Sequence, residues 1–217
     1  LKKLHKKIKK IKKNNAYDCI VPVSGGKDGS YVYHNVKKKF NLNPLAVTVN
    51  PPLPQELGEK NLSNFVSKDV SLIRVDPPHE AMRKLNLLGF EFLGFPYYGW
   101  LISIHTAVLR IAVNFNIKLI FYGEDGELEY GGTTETNKDI IYDVDYQKKV
   151  YLENGFDYII KKSKISKSDL TFFTYPDRKN YNGIFLTHYS YYENWDPYKN
   201  YLIAKKYYGL SENENSN

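Results

Sequence analysis

The chain has 217 residues, 42% of them hydrophobic, a single cysteine and a net charge of +7, a size and composition that suit one domain, with or without an appendage, around a real core. One cysteine excludes an internal disulfide and a paired-cysteine metal or redox centre, and the longest apolar stretch, 100–115, is interrupted by His105 and Arg110 and is too short and too polar to cross a bilayer. Only four of the 31 basic residues are arginine (Arg74, Arg83, Arg110, Arg178), so a pI near 9.1 does not by itself imply a nucleic-acid partner; arginine is the residue that forks onto phosphates and stacks on bases.

In chain order, Leu1, Leu4, Ile8 and Ile11 recur at helical spacing among lysines, which predicts a basic amphipathic helix over residues 1–16. No continuous apolar run follows those lysines, so a secretory signal is not expected. With the lone Cys19 this points to a cytoplasmic chain with no membrane partner. Asp18 to Val23 predicts a buried strand, and Gly29 to Phe40 a helix after a glycine-rich turn. Leu45 to Asn50 predicts a second strand, stopped by Pro51-Pro52; Pro54 to Lys68 a helix; and Val70 to Asp76 a third strand, closed by Pro77-Pro78. A helix is expected from His79 to Leu88, then a loop from Gly89 to Gly99 shaped for a ligand or partner, then a helix from Trp100 to Asn116. Lys118 to Tyr122 predicts a fourth strand, Val144 to Asn154 a helix, Ile184 to His188 a fifth strand, and Pro197 to Tyr208 a helix closed by Gly209. Strands alternating with helices call for an α/β fold, a parallel twisted sheet with helices on both faces. The expected division is the basic helix at 1–16, a nucleotide-binding domain at 17–165, an acceptor-side extension at 166–209 and a disordered tail at 210–217. A chain that opens at Leu1 without a methionine is expected to be part of a longer one.

The strongest chemical signal is Ser24-Gly25-Gly26-Lys27-Asp28-Gly29-Ser30, directly after the first strand and opening the first predicted helix of that domain. Glycines let the backbone approach oxyanions, consecutive N–H groups form a nest, and the helix adds its positive end. The spacing is neither GxxxxGK[ST] nor GxGxxG. A second signal is Gly123-Glu124-Asp125-Gly126-Glu127 with Glu129 close behind. Carboxylates crowded at the end of a central strand repel one another unless a cation is present, so Mg²⁺ is the expected resolution; an acidic solvated loop is the other reading. His105 reads as a core histidine or a functional one. Arg110 could meet a phosphate or pair with a carboxylate.

Ser-Gly-Gly-x-Asp-x-Ser after a first strand resembles the PP-loop of the ATP pyrophosphatases, a superfamily that includes GMP synthetase, asparagine synthetase, tRNA thiolases and lysidine synthetases. The resemblance implies cleavage of ATP between its α- and β-phosphates, transfer of AMP to a carbonyl-type oxygen, and displacement of AMP by a nucleophile. It implies that Ser24, Gly25, Gly26, Lys27, Asp28, Gly29 and Ser30 cradle the pyrophosphate, that Thr48 and Asn50 lie beside the adenine, and that Gly123 closes the opposite strand. Asp28 and Glu124 would be the catalytic carboxylates, with Asp28, Glu124 and Asp125 around Mg²⁺, whose hard charge takes oxygen ligands.

Gly123-Glu124, Glu129-Tyr130-Gly131-Gly132, the basic start and His188-Tyr189 with Trp195-Asp196-Pro197 resemble the narrower N-acetyl sugar amidotransferases of lipopolysaccharide and flagellin-glycan biosynthesis. Members usually carry a cysteine-containing start and a longer C-terminus, neither of which this chain has. That resemblance implies conversion of an acetamido group, on a sugar or nucleotide-sugar acceptor, to an acetamidino group, with ammonia supplied by a separate glutaminase subunit similar to that of imidazole glycerol phosphate synthase. Cys19, in a buried strand, meets no requirement of a cysteine glutaminase or of sulfur transfer. The alternatives are a lysidine-synthetase-like tRNA modifier, which needs no cysteine, and a nucleotide-binding module without catalysis.

Overall fold

The computed structural model describes residues 16–123, 140–150 and 156–212. The expectations for the basic helix before residue 16, for Glu124, Asp125, Glu127 and the Glu129–Gly132 run, for 151–154 of the predicted helix and for the tail beyond Glu212 lie outside the described residues. Within them, six strands form one sheet: β1 (Cys19–Pro22), β2 (Pro44–Val49), β3 (Leu72–Val75), β4 (Leu119–Tyr122), β5 (Tyr142–Asp143) and β6 (Phe185–His188), in the order β3-β2-β1-β4-β6-β5. Every neighbouring pair is parallel except β5, which runs antiparallel to β6. This is the expected α/β architecture; the two-residue β5 is too short to leave a period-two trace in the sequence.

Strand alternation divides the core. Cys19 and Val21, Ala46, and Leu119 and Phe121 face one side of the sheet, while Ile20, Leu45, Val47, Val49 and Ile120 face the other. The first side is covered by α1 (Lys27–Lys39) and α2 (Glu56–Val66), the second chiefly by α4 (Tyr98–Asn114). A third apolar cluster joins α3 (His79–Leu93) to α4, with Met82 and Leu85 against Ile102, Ile159 and Phe173. Most of these side chains are buried, each contributing about 1.5–3 kcal/mol over leaving it in water. Short helices α5 (Val144–Val150), α6 (Asp157–Ser163) and α7 (Arg178–Tyr181) follow, and α8 (Pro197–Tyr208) ends the described fold.

The limits of α8 follow from its ends. The Asp196 carboxylate accepts from the backbone N–H of Tyr198 at 3.0 Å and of Lys199 at 3.1 Å, Pro197 occupies the first turn, and Gly209 closes the helix at φ 66°. β6 and α8 belong to the stretch 166–209, yet β6 is hydrogen-bonded to β4 and α8 packs lengthwise on α1.

The expected ligand loop from Gly89 to Gly99 is corrected: α3 continues to Leu93, Gly94 ends it in the left-handed region at φ 69°, and α4 starts at Tyr98. Gly89 does not break the helix because it marks a crossing. A Cβ there would stand 2.1 Å from the Tyr98 Cβ, so the absent side chain lets the two helices close on each other.

Candidate functional site

β2 and β3 lie on one side of β1, and β4 lies on the other, so the order reverses between β1 and β4. At such a reversal the connections leave in opposite directions and open a crevice at the carboxyl ends of the strands. Residues 23–26 emerge there. Gly25 has φ +82°, and a Cβ on it would sit 2.8 Å from the Leu62 backbone nitrogen and 3.1 Å from the Gly58 carbonyl oxygen, so the turn and the packing on α2 both require glycine. Gly26 precedes α1 in extended conformation, and no side chain caps that helix. Its first N–H groups are therefore available to an oxyanion, reinforced by the helix dipole.

The residues singled out by sequence fall into three groups. Ser24, Thr48 and Asn50 line a cavity of about 420 Å³ at the ends of β1 and β2. Lys27, Asp28 and Gly123 stand on the β4 side: Lys27 Nζ donates to Asp28 Oδ2 at 2.8 Å, and a Cβ on Gly123 would lie 3.9 Å from the Asp28 Cβ. Gly29 and Ser30 face inward. A Cβ on Gly29 would press the Val23 Cα at 3.1 Å, and the buried Ser30 hydroxyl donates to the Gly26 carbonyl at 2.9 Å. Ser30 as it stands offers a ligand lone pairs and no hydrogen. Asn50 donates to the Asp76 carboxylate. Glu124 and Asp125 lie outside the described residues, and among those described no group of three or more His, Cys, Asp or Glu side chains could hold a metal.

The cavity is walled mainly by apolar groups, with Leu53, Leu62 and Pro51 on one side and Trp100, Ile104 and Val108 of α4 on the other. Trp100 is fixed by donating Nε1–H to the Val49 carbonyl at 3.3 Å. The volume and the few polar edges suit a planar heterocycle such as a purine. Tyr122 closes the cavity on the β4 side, its hydroxyl pushed up to about 12 by burial and lowered in part by a hydrogen bond with Gln147. Gln147 also meets His105 Nδ1 at 3.1 Å. Burial, with His188 opposing a second charge, pulls His105 down to about 4, so its imidazole is neutral at physiological pH. Arg110 donates to the Thr174 carbonyl at 2.9 and 3.2 Å, and the nearby Asp177 carboxylate partly offsets the effect of burial, which lowers the guanidinium. Cys19 is buried in β1 and its thiol is pushed well up, first by burial and then by Asp18.

Two more residues complete the loop's β4 side: Trp195, which the sequence offered only within the family resemblance, and Asn200, which sequence reasoning missed. Trp195 lies over Gly123, with its Cη2 3.3 Å from where a Cβ would be, and meets the Tyr31 ring edge-on at 5.9 Å. Asn200 of α8 donates Nδ2–H to Asp28 Oδ1 at 2.9 Å. One signal could have found it: Asn200, Ala204 and Tyr208 recur every four residues, which puts a polar, weakly helix-forming residue on the buried face. The turn before α8 is held by Glu193, whose carboxylate accepts from Lys39 of α1, from Lys199 and, at 3.1 Å, from the Tyr189 hydroxyl. Burial alone would raise Glu193, but these hydrogen bonds outweigh it and hold it at about 2.

No family model matches the chain, and no curated protein matches it. Among solved structures it is similar to the U34-tRNA thiolase NcsA from Methanococcus maripaludis with its 4Fe-4S cluster, at 12% identity and a TM-score of 0.44. The likeness covers 98% of this chain, which spans 65% of the thiolase chain, and at that level it carries no argument about activity.

Proposed function

We propose that the chain is an ATP-dependent enzyme of the PP-loop type that forms AMP and pyrophosphate, and that its acceptor is the acetamido group of a sugar, free or nucleotide-linked. The observation that supports this most is the loop Ser24–Ser30. It opens α1 at the reversal of strand order, beside an apolar cavity sized for a nucleotide base. In this reading the base occupies the cavity against Trp100, and the β- and γ-phosphates meet the uncapped N–H groups of α1. Lys27 adds positive charge where the leaving pyrophosphate accumulates negative charge.

Asp28, in the first turn of α1, would hold Mg²⁺ together with oxygens of the triphosphate, an environment that suits a hard cation. When bound, that ion neutralises charge on the phosphates. The chain's own part is to fix the triphosphate so that the amide oxygen of the acceptor attacks the α-phosphorus as the bond to pyrophosphate breaks. Ammonia then attacks the activated carbon, AMP leaves with the former amide oxygen, and the product amidine carries the positive charge. Ammonia would come from a separate glutaminase, since Cys19 is enclosed in β1 and cannot release it from glutamine.

The experiment is product analysis with labelled ATP and nitrogen-15 donors. AMP and pyrophosphate, with nitrogen-15 from ammonium but not from glutamine in the acetamido sugar, are expected of the isolated chain. Adding the glutaminase should bring in label from glutamine. ADP with orthophosphate as first products would overturn the PP-loop reading. AMP formation that depends on tRNA and not on an acetamido sugar would move the assignment to a lysidine-synthetase-like modifier.

A further inference from the structure

Asn200 has a role to which neither the helix it sits in nor the core around it entitles it. The side chain is fully buried, on the face of α8 that packs against α1. Its Nδ2 reaches Asp28 Oδ1 at 2.9 Å, while the other oxygen of that carboxylate, Oδ2, receives Lys27 Nζ at 2.8 Å. The Asn200 amide oxygen is equally buried and has no hydrogen-bond partner among the described residues. An unmatched buried acceptor destabilises a fold, and asparagine is a weak helix former. A leucine would fill the same space without either cost. What asparagine provides there and leucine cannot is an N–H aimed at Asp28.

We propose that Asn200 is the positioning residue of the phosphate loop: it fixes the rotamer of Asp28 by holding one carboxylate oxygen, so that the other, which receives Lys27 Nζ in this structure, is left for the cation carried by the nucleotide. This rests on the reading of Asp28 as a nucleotide–cation ligand. A side chain on Gly123 would meet both Trp195, just before α8, and the Asp28 Cβ, so the glycine leaves room for both beside the loop. Asp28 is thus set by the last helix of the described fold rather than by its own loop alone.

The test compares wild type, Asn200→Leu, Asn200→Asp, Asp28→Ala and the double variants. For each, calorimetry measures affinity for a non-hydrolysable ATP analogue with and without Mg²⁺, and thermal melting is followed on the nucleotide-free protein. Asn200→Leu should melt at or above the wild-type temperature yet lose about tenfold of the Mg²⁺-dependent gain in affinity, with Mg²⁺-free affinity unchanged. Asn200→Asp keeps the shape but loses the donor, and should lose at least as much of that gain. In the Asp28→Ala background neither change should matter, because the two residues act as one unit. Full Mg²⁺-dependent affinity in a folded Asn200→Leu or Asn200→Asp protein overturns the assignment, as does an equal loss with and without Mg²⁺. If wild type itself gains nothing from Mg²⁺, the reading of Asp28 fails first, and the Asn200 role fails with it.

Discussion

The two flanks of the Ser24–Ser30 loop are built in different ways. Toward β2 lies an apolar cavity whose walls come mainly from β1, β2, the start of α2 and α4, with Tyr122 of β4 closing it. Toward β4 lies a polar contact in which Asp28 meets Lys27 and Asn200, with Trp195 covering Gly123. The first flank can hold a ligand by shape and exclusion of water, which acts on ground state and transition state alike. The second places charge, and charge placed where it changes during reaction is felt mainly in the transition state. The division predicts that the apolar side acts on binding alone, while the polar side, which also carries the Mg²⁺-dependent share of affinity, is felt more in turnover.

Asp28→Ala is the most severe test of the polar flank. Turnover should fall at least about 10²-fold through loss of cation-assisted charge stabilisation, with a smaller change in the KM for ATP. Rates under saturating ATP decide it, and unchanged kinetics would remove Asp28 from the site. On the apolar flank, Trp100→Ala should raise that KM by about tenfold while kcat stays within roughly a factor of two, the pattern of lost uniform binding. A matching fall in kcat would break the division between the flanks.

A third measurement concerns the border between the flanks, where His105 meets Gln147 beside Tyr122. The folded state holds His105 at about 4 against an ordinary 6.5. Its depressed value means that the unfolded chain takes up the proton first as pH falls. The contribution to stability is therefore complete above 6.5 and is lost progressively down to about 4. Melting temperature against pH should slope less across that window in His105→Gln than in wild type. Glu193, held at about 2, weakens the turn before α8 only at lower pH, from 4.5 downward. The smallest effect is expected of Cys19→Ser: catalysis intact and some stability lost, because the residue fills β1 among buried neighbours. Loss of activity in a folded variant would bring sulfur chemistry back into consideration.

What was legible in the sequence was local. The apolar run of β1, the glycines of the loop and the Pro197–Gly209 limits of α8 are each written in a few adjacent residues, and the structure carries all three. Gly89 was misread because a glycine that lets helices cross and a glycine that ends one look alike until the partner helix is in place. Asn200, and the place of Trp195 over Gly123, escaped because their meaning is a contact: Asn200 stands 172 residues from Asp28, and no periodicity spans that distance. The pairing of Tyr122 with His188 across β4 and β6 is of the same kind.

That separation also sets an order of events during synthesis. The Ser24–Ser30 loop leaves the ribosome first, and Asn200 emerges 172 residues after Asp28, roughly 10–30 s at ordinary elongation rates. Through that interval β1, α1 and β2 can assemble with the loop already turned by Gly25, but Asp28 has only Lys27 beside it. The nascent chain thus passes through a stage with a formed anion nest and an unset carboxylate, and docking of α8 converts one into the other. Setting of Asp28 therefore waits for α8, so on the proposed reading a chain halted before α8 is expected to hold phosphate without using it.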